Sequence, residues 1–248
     1  MTKKARKTGA DRKISATLEL LQKYASIFRD MINAKVSSSN QSIRGSLGLS
    51  RGTDWNFLTA AMDIISDAGE ALDHVRRFGL TGPTKYNDEG EKYLRLYGLL
   101  SAAYIQQRSV LTLYKLMNVP NVQQAKKTFG ELPLVVLRHK LSAHGTDYKE
   151  GGALHAYVPV RVSLRDTGIT VARHAMPMDQ ETVDLTGAIA AHTKLMIDTM
   201  DRICAKTIQT LFKQDEKKHT KFSEALADLR IERDGGSVAK VPKGVPRS

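Results

Sequence analysis

The sequence predicts a mainly α-helical, up-and-down bundle with one β-hairpin inserted before the last long helix. Apolar side chains recur at three- and four-residue steps along most of the chain, the period of a helix with one buried face. One stretch, from about 153 to 174, alternates by twos instead, as a strand does. The 248 residues are 41% hydrophobic and 26% charged with a single cysteine, ordinary values for a chain that buries a core. This composition excludes a disordered or collagenous chain, a disulfide framework and a Cys-rich zinc module. No run approaches the roughly 20 apolar residues that span a bilayer.

The first helical pattern runs from about Ile14 to Ala34, with Leu18, Leu21, Tyr24 and Phe28 on one face. It ends in VSSSNQSIRGSLGLSRG, a Ser/Gly-rich connector between Val36 and Gly52. Arg44 and Arg51 sit among its glycines, but without a following GK signature a connector is the expectation rather than a phosphate loop. A second helix starts at Thr53 or Asp54, carries Leu58, Met62, Ile65, Gly69 and Leu72, and stops at Gly79. Gly69 weakens that helix and permits a close neighbour. Asp88 and Glu91 open the third helix, whose stripe of Leu96, Leu100, Ala103, Gln107, Val110, Tyr114 and Met117 marks it as central. Tyr93, Tyr97, Tyr104 and Leu111 widen that face, and Pro120 ends it. A short helix from Asn121 to about Phe129 follows, and another opens at Pro133 and ends at Gly145.

Beyond it, Val158, Val160, Val162 and Leu164 alternate with Tyr157, Pro159, Arg161 and Ser163. After the turn Asp166-Thr167-Gly168, Ile169 and Val171 continue the alternation, so a hairpin over 153–174 is expected, with Pro159 at an edge or bulge. The last long helix is expected from Asp179 to 215 or beyond, on Ile189, Met196 and Ile203. The reading is one helical domain over 14–229, with its core at 53–148, between basic tails at 1–13 and 230–248.

The formal net charge is +12, which favours a polyanionic partner. Residues 1–13 carry six basic side chains against one acid, and 235–248 carry three against none, so eight of the twelve charges lie in the tails. Tails poor in large apolar residues are expected to be flexible, and basic arms attract nucleic acid or anionic lipid without base selectivity. The basic start MTKKARKTGADRKIS has no apolar segment behind it, so a cytoplasmic protein with no membrane partner is expected.

Several chemistries leave no trace. There is no GxxxxGK loop, no strand–GxGxxG–helix unit, no HExxH and no GxSxG elbow, and the seven histidines do not fall at zinc-ligand spacings. No metal or other cofactor is expected. Cys204 lies on an apolar helical face and reads as packing. One constellation stands out, Arg138-His139-Lys140-Leu141-Ser142-Ala143-His144-Gly145. Arginine supplies a permanent planar charge that matches a phosphate, and histidine takes and returns a proton near neutral pH. On a regular helix Arg138 and His144 stand roughly 120° apart, within reach of one cleft. The helix dipole alone also favours basic side chains at such an end, and His-Gly is an ordinary cap. Gln107 on the apolar stripe faces either a cleft or a backbone partner, and Arg108 beside it is a candidate phosphate contact. On the hairpin, His155, Tyr157, Arg161 and Arg165 share one side and offer a second, weaker grip on RNA.

The Arg138–His144 stretch resembles the Arg–(four to six residues)–His motif of HEPN domains, the higher eukaryote and prokaryote nucleotide-binding family. Five residues separate the pair here, His139 stands where members carry a polar residue, and Ala143-His144-Gly145 is similar to many of their motif endings. The layout from Thr53 to Tyr148, two long helices, a short one and the motif helix, resembles the family's order. The resemblance implies a metal-independent endoribonuclease that works as a homodimer, with both motifs facing one composite cleft. Arg138 would hold the scissile phosphate, His144 would act as acid or base at the ribose 2′-hydroxyl or the leaving oxygen, and His139 would be a supporting contact. Lys140, Gln107 and Arg108 are the candidate substrate contacts, and a 2′,3′-cyclic phosphate is the expected product. Members commonly serve as toxins or antiviral defence effectors, some with an antitoxin that modifies a tyrosine two residues past the histidine. Position 146 here is Thr and the nearest tyrosine is Tyr148, a departure from that pattern. Two other classes remain open: a non-catalytic helical module binding a protein, nucleotide or nucleic-acid partner, and a nucleic-acid accessory protein acting through its tails.

Overall fold

Long amphipathic helices account for most of the chain, as the periodicity requires. The computed structural model describes residues 9–84, 87–143, 146–174 and 178–235. Helix α1 spans Gly9–Ser37 and buries Leu21, Tyr24, Phe28, Met31 and Ile32. It begins earlier than the pattern predicts, inside the stretch read as a basic tail. The connector holds a short helix, α2 (Ile43–Leu47), closed by Gly48 in the left-handed region. Its arginines serve the loop itself: Arg44 Nε donates to Leu49 O at 3.2 Å and Arg51 Nε to Asp54 Oδ1 at 3.0 Å.

Helices α3 (Asp54–Phe78) and α4 (Glu89–Leu116) form the spine. Asp88 caps α4 by accepting from Glu91 N at 2.8 Å. Helix α5 (Val122–Gly130) and helix α6 (Pro133–Arg138) follow, and α6 runs into a π-turn over His139–Ala143. Helix α7 (Leu185–Leu211) and helix α8 (Glu216–Arg233) close the bundle.

The β region departs from the expected hairpin. Strands β1 (Tyr148–Glu150) and β2 (Ala153–His155) pair antiparallel, with Tyr148 opposite His155. A second sheet has the order β3 (Tyr157–Pro159), β4 (Gly168–Arg173), β5 (Asp179–Asp184). Its register sets Tyr157 against Arg173 and Gly168 against Asp184. The alternation through Val158–Leu164 does not describe one strand, because β3 stops at Pro159 and a 3-10 turn occupies Arg161–Ser163. Tyr157 faces inward, while Val158 and Val162 point to solvent, Val162 at 85% exposure. Residues 179–184 form an edge strand rather than a helix start. The helix begins at Leu185, where the Asp184 carboxylate accepts from Thr186 N and Gly187 N. The expected single C-terminal helix is two, separated at Asp215, which caps α8 by accepting from Lys218 N at 3.0 Å.

Two apolar cores share α3, α4 and α7. One gathers Tyr24, Phe28, Ile65, Val110, Met200 and Ile203 with α8 residues Phe222 and Leu226. The other gathers Leu72, Leu96, Leu100, Leu137, Ile169 and Ile189 beneath the three-stranded sheet. Between them lies a polar layer. Gln106 Nε2 donates to Ile65 O at 2.8 Å and its Oε1 lies 2.9 Å from His192 Nε2. Gly69 leaves room there for Gln22, whose amide donates to Ser66 O. No described helix is long and apolar enough to cross a membrane.

Candidate functional site

Helix α6 is only six residues long, so its position depends on its apolar face. Leu134, Val135, Leu137 and Leu141 are buried against α4 and α7, which leaves its end and the π-turn to present the basic triplet. Turns of this kind, with i→i+5 hydrogen bonds, recur at functional sites. Arg138 lays its guanidinium over Tyr104 of α4, with Cζ 3.8 Å from the ring centroid. A cation stacked this closely on an aromatic face gains on the order of 0.5–2 kcal/mol. His139 meets the same ring edge-on, centroids 6.3 Å apart. Tyr104 therefore holds two adjacent motif residues at once.

Lys140 goes elsewhere. It is buried beneath the sheet, with Nζ 2.7 Å from Glu181 and 4.7 Å from the centroid of the Tyr157 ring. Tyr157 in turn donates to Glu150 Oε2 at 2.6 Å, and this hydrogen bond holds the Glu150 carboxyl below the usual carboxylate range. The Lys140 ammonium is thus already neutralised on the far side of the turn from Arg138. Expected as a substrate contact, Lys140 lines a separate cleft of about 170 Å³ with Glu150, Tyr157, Arg173, Asp179 and Glu181, not the one beside Tyr104. His144 and Gly145 lie outside the described residues.

Next to the Tyr104 ring, α4, α5 and the π-turn enclose an open cleft of about 260 Å³. Tyr104, Gln107, Arg108, Lys115, Lys126 and His139 line it, and among the described residues no carboxylate does. The structure therefore places Gln107, Arg108 and His139 around one cleft. Gln107 is 6% exposed and its Oε1 has no hydrogen-bond donor among the described residues. Burial, then the charges of Lys126 and Arg108, push the Lys115 ammonium below its ordinary range. Sequence reasoning missed Lys115 and Lys126 and took Tyr104 for part of the apolar face. The helical row Tyr104–Arg108–Leu111–Lys115 was the signal available, since steps of three and four put these residues on one side of α4.

The other candidates separate. His155, Tyr157, Arg161 and Arg165 do not share a face: Tyr157 is buried, and Arg161 sits on the 3-10 turn, 3.2 Å from Glu89. Cys204 is sealed in the core, where burial pushes its thiol up and keeps it protonated. A larger groove of about 710 Å³ runs between α1, α7 and the end of α8, but Asp198, Glu232 and Asp234 line it along with Lys194 and Arg233. Its mixed charge does not favour a polyanion. Among the described residues no three His, Cys, Asp or Glu side chains gather in a metal-binding group. Compared with protein-family models, curated proteins and solved structures, the chain matches none.

Proposed function

We propose that the chain is a metal-independent endoribonuclease of the HEPN type, acting as a homodimer. The observation that carries the reading is the Arg138 guanidinium stacked on Tyr104 beside His139, next to a cleft that no carboxylate among the described residues lines. A fixed, permanently charged fork binds the non-bridging oxygens of a phosphodiester and stabilises the charge that builds on them. The ribose 2′-oxygen attacks phosphorus, the bond to the 5′-oxygen breaks, and a 2′,3′-cyclic phosphate and a 5′-hydroxyl result. His144 takes the 2′-hydroxyl proton, and the same residue of a second copy returns one to the leaving oxygen. The order of α3, α4, α5 and α6 supports the reading, as it follows the layout the motif resemblance implies.

Support for a second copy comes from the outer face of α4. Leu94, Tyr97 and Ile105 are exposed there, and Gly98 and Ser101 between them leave room for a close approach. Such a nuclease suits a toxin or antiviral effector. The test is digestion of total RNA in EDTA by wild type, Arg138→Ala and His144→Ala. Loss of each catalytic group is expected to cost about 10²–10⁴-fold in rate, with cyclic-phosphate ends on the wild-type product. Equal cleavage by all three proteins removes the assignment.

A further inference from the structure

The cleft beside Tyr104 carries groups that the cleavage step does not use. Gln107 is the clearest. Its neighbour Gln106 is as deeply buried, yet both ends of that amide are bonded, to Ile65 O and to His192. Burial on α4 therefore does not in itself leave an amide unpaired. Gln107 Oε1 has no donor among the described residues and the residue lines the cleft, and a buried acceptor left unmet is costly unless something else meets it.

Charge supplies the second observation. Arg108 and Lys115 from α4 and Lys126 from α5 converge on the same cleft. None of the three has a carboxylate partner among the described residues. Their mutual repulsion helps to hold the Lys115 ammonium below its usual range, after burial, and an anion among them would relieve it. The complementary ligand is anionic at one end, carries an N–H or O–H donor at the other, and has a flat body to lie beside Tyr104. At about 260 Å³ the space is near the lower bound of small-ligand sites, suited to one unit of a strand rather than a duplex.

We infer that this cleft is a nucleotide subsite, with a phosphate held by Arg108, Lys115 and Lys126 and a base N–H or ribose hydroxyl donating to Gln107 Oε1. The inference rests on reading this face as an RNA site, and it makes Gln107 a specificity-determining residue for the nucleotide flanking the cut. It assigns roles to Lys115 and Lys126 that the motif does not.

Binding, not cleavage, tests it. The full chain is titrated with the four nucleoside 3′-monophosphates, with their 2′-deoxy counterparts, and with inorganic phosphate alone, following amide NMR signals of α4. Lys126→Ala weakens phosphate and nucleotides alike, by about tenfold. Gln107→Met conserves volume and removes an unpaired acceptor, so it melts at or above wild type. It leaves phosphate binding unchanged and weakens nucleotides by about five- to tenfold. If wild type binds the deoxy forms as weakly as Gln107→Met does, the ribose is the donor; a loss that follows base identity assigns the base. Nucleotides that bind wild type no tighter than phosphate, or Gln107→Met that binds nucleotides like wild type, overturn the subsite. A wild type that shows this discrimination yet never cuts RNA sinks the nuclease reading and leaves the subsite standing.

Discussion

His192 lies wholly buried between the two cores, and its surroundings fix its tautomer. Gln106 spends its Nε2 on Ile65 O, so its Oε1 must accept, and His192 Nε2 carries the proton. Nδ1 is then an unprotonated nitrogen with no hydrogen-bond partner among the described residues. Protonating it would place a charge and an unmatched N–H in the interior, and burial accordingly pushes the pKa down to about 4. An unfolded histidine titrates near 6.5. Between those values the unfolded chain binds the proton and the folded chain does not. The contribution of His192 to stability is complete above roughly pH 6.5 and is lost as pH drops toward 4, by about 3 kcal/mol over the window. Urea denaturation from pH 7 to 4.5 reads this slope, and His192→Leu is expected to flatten it even though it leaves Gln106 Oε1 unpaired. A slope unchanged in that variant places the sensitivity elsewhere. The Asp201 carboxyl, which Arg230 and Tyr24 hold low, contributes only at more acid pH. Little of this layer was readable in sequence. Gln106, Gln107 and His192 all sit near apolar positions, and only the packing of α3 and α7 on α4 decides which amide is satisfied. Arg138 and His139 were legible because they interrupt an apolar run. Lys140 was read as a substrate contact with them, although two residues along a helix differ by about 200° and set Arg138 and Lys140 facing apart.

At the scale of elements, the junction between α3 and the β region turns on Gly79. Its φ of +66° with ψ −167° is open to glycine alone, and a Cβ there would collide with Asp166. Asp166 accepts from Thr81 N and Thr81 Oγ1, so the loop between β3 and β4 is tied to the end of α3. Gly79→Ala is expected to lower stability by about 2–3 kcal/mol through strain and displacement of Asp166, measured as a shift in the urea midpoint with unchanged slope. A shift of a few tenths would mean the loop yields freely. The stop at Gly79 was legible, as were α3, α4, α5 and the start of α6, because each pairs a long apolar stripe or a Pro with a clear end. The strands were not. Residues 179–184, DQETVD, bury little beyond part of Val183 and are held by backbone bonds to β4, so no side-chain period announces them. Residues 158–164 mimic an alternation that Pro159 and the 3-10 turn interrupt. Helix α8 buries only Phe222, Leu226 and Leu229 in a strongly charged sequence, too thin a stripe to set its start apart from the end of α7.

For the whole molecule, α4 faces three ways. Its inner side bridges both cores, a second side floors the cationic cleft, and a third carries the exposed row of Leu94, Tyr97, Ser101 and Ile105. Leu94 at 71% and Ile105 at 47% exposure are an apolar surface that a lone chain leaves in water at a cost of about 25 cal/mol per Å². A second copy crossing this row would centre on Gly98 and Ser101, since an added Cβ at Gly98 meets no atom within 4 Å among the described residues. Tyr104, under the Arg138 guanidinium, is less than one turn away along the helix, so a two-fold contact covering the row would bring the two Arg138 side chains nearer one another. Dimerisation and cleavage are then a single property under the nuclease reading, whereas nucleotide binding belongs to each subunit alone. Ile105→Arg separates them. It places a charge within the contact, at the end of the row nearest Tyr104, and the expected result is a monomer by light scattering that has lost at least about 100-fold in RNA cleavage. Its affinity for nucleoside monophosphates should match wild type, because Arg108, Lys115, Lys126 and Gln107 are untouched. A variant that stays dimeric moves the interface to another face of the molecule. A monomer that cleaves at the wild-type rate means one chain holds every group the reaction needs, and the composite site is lost while the cleft remains.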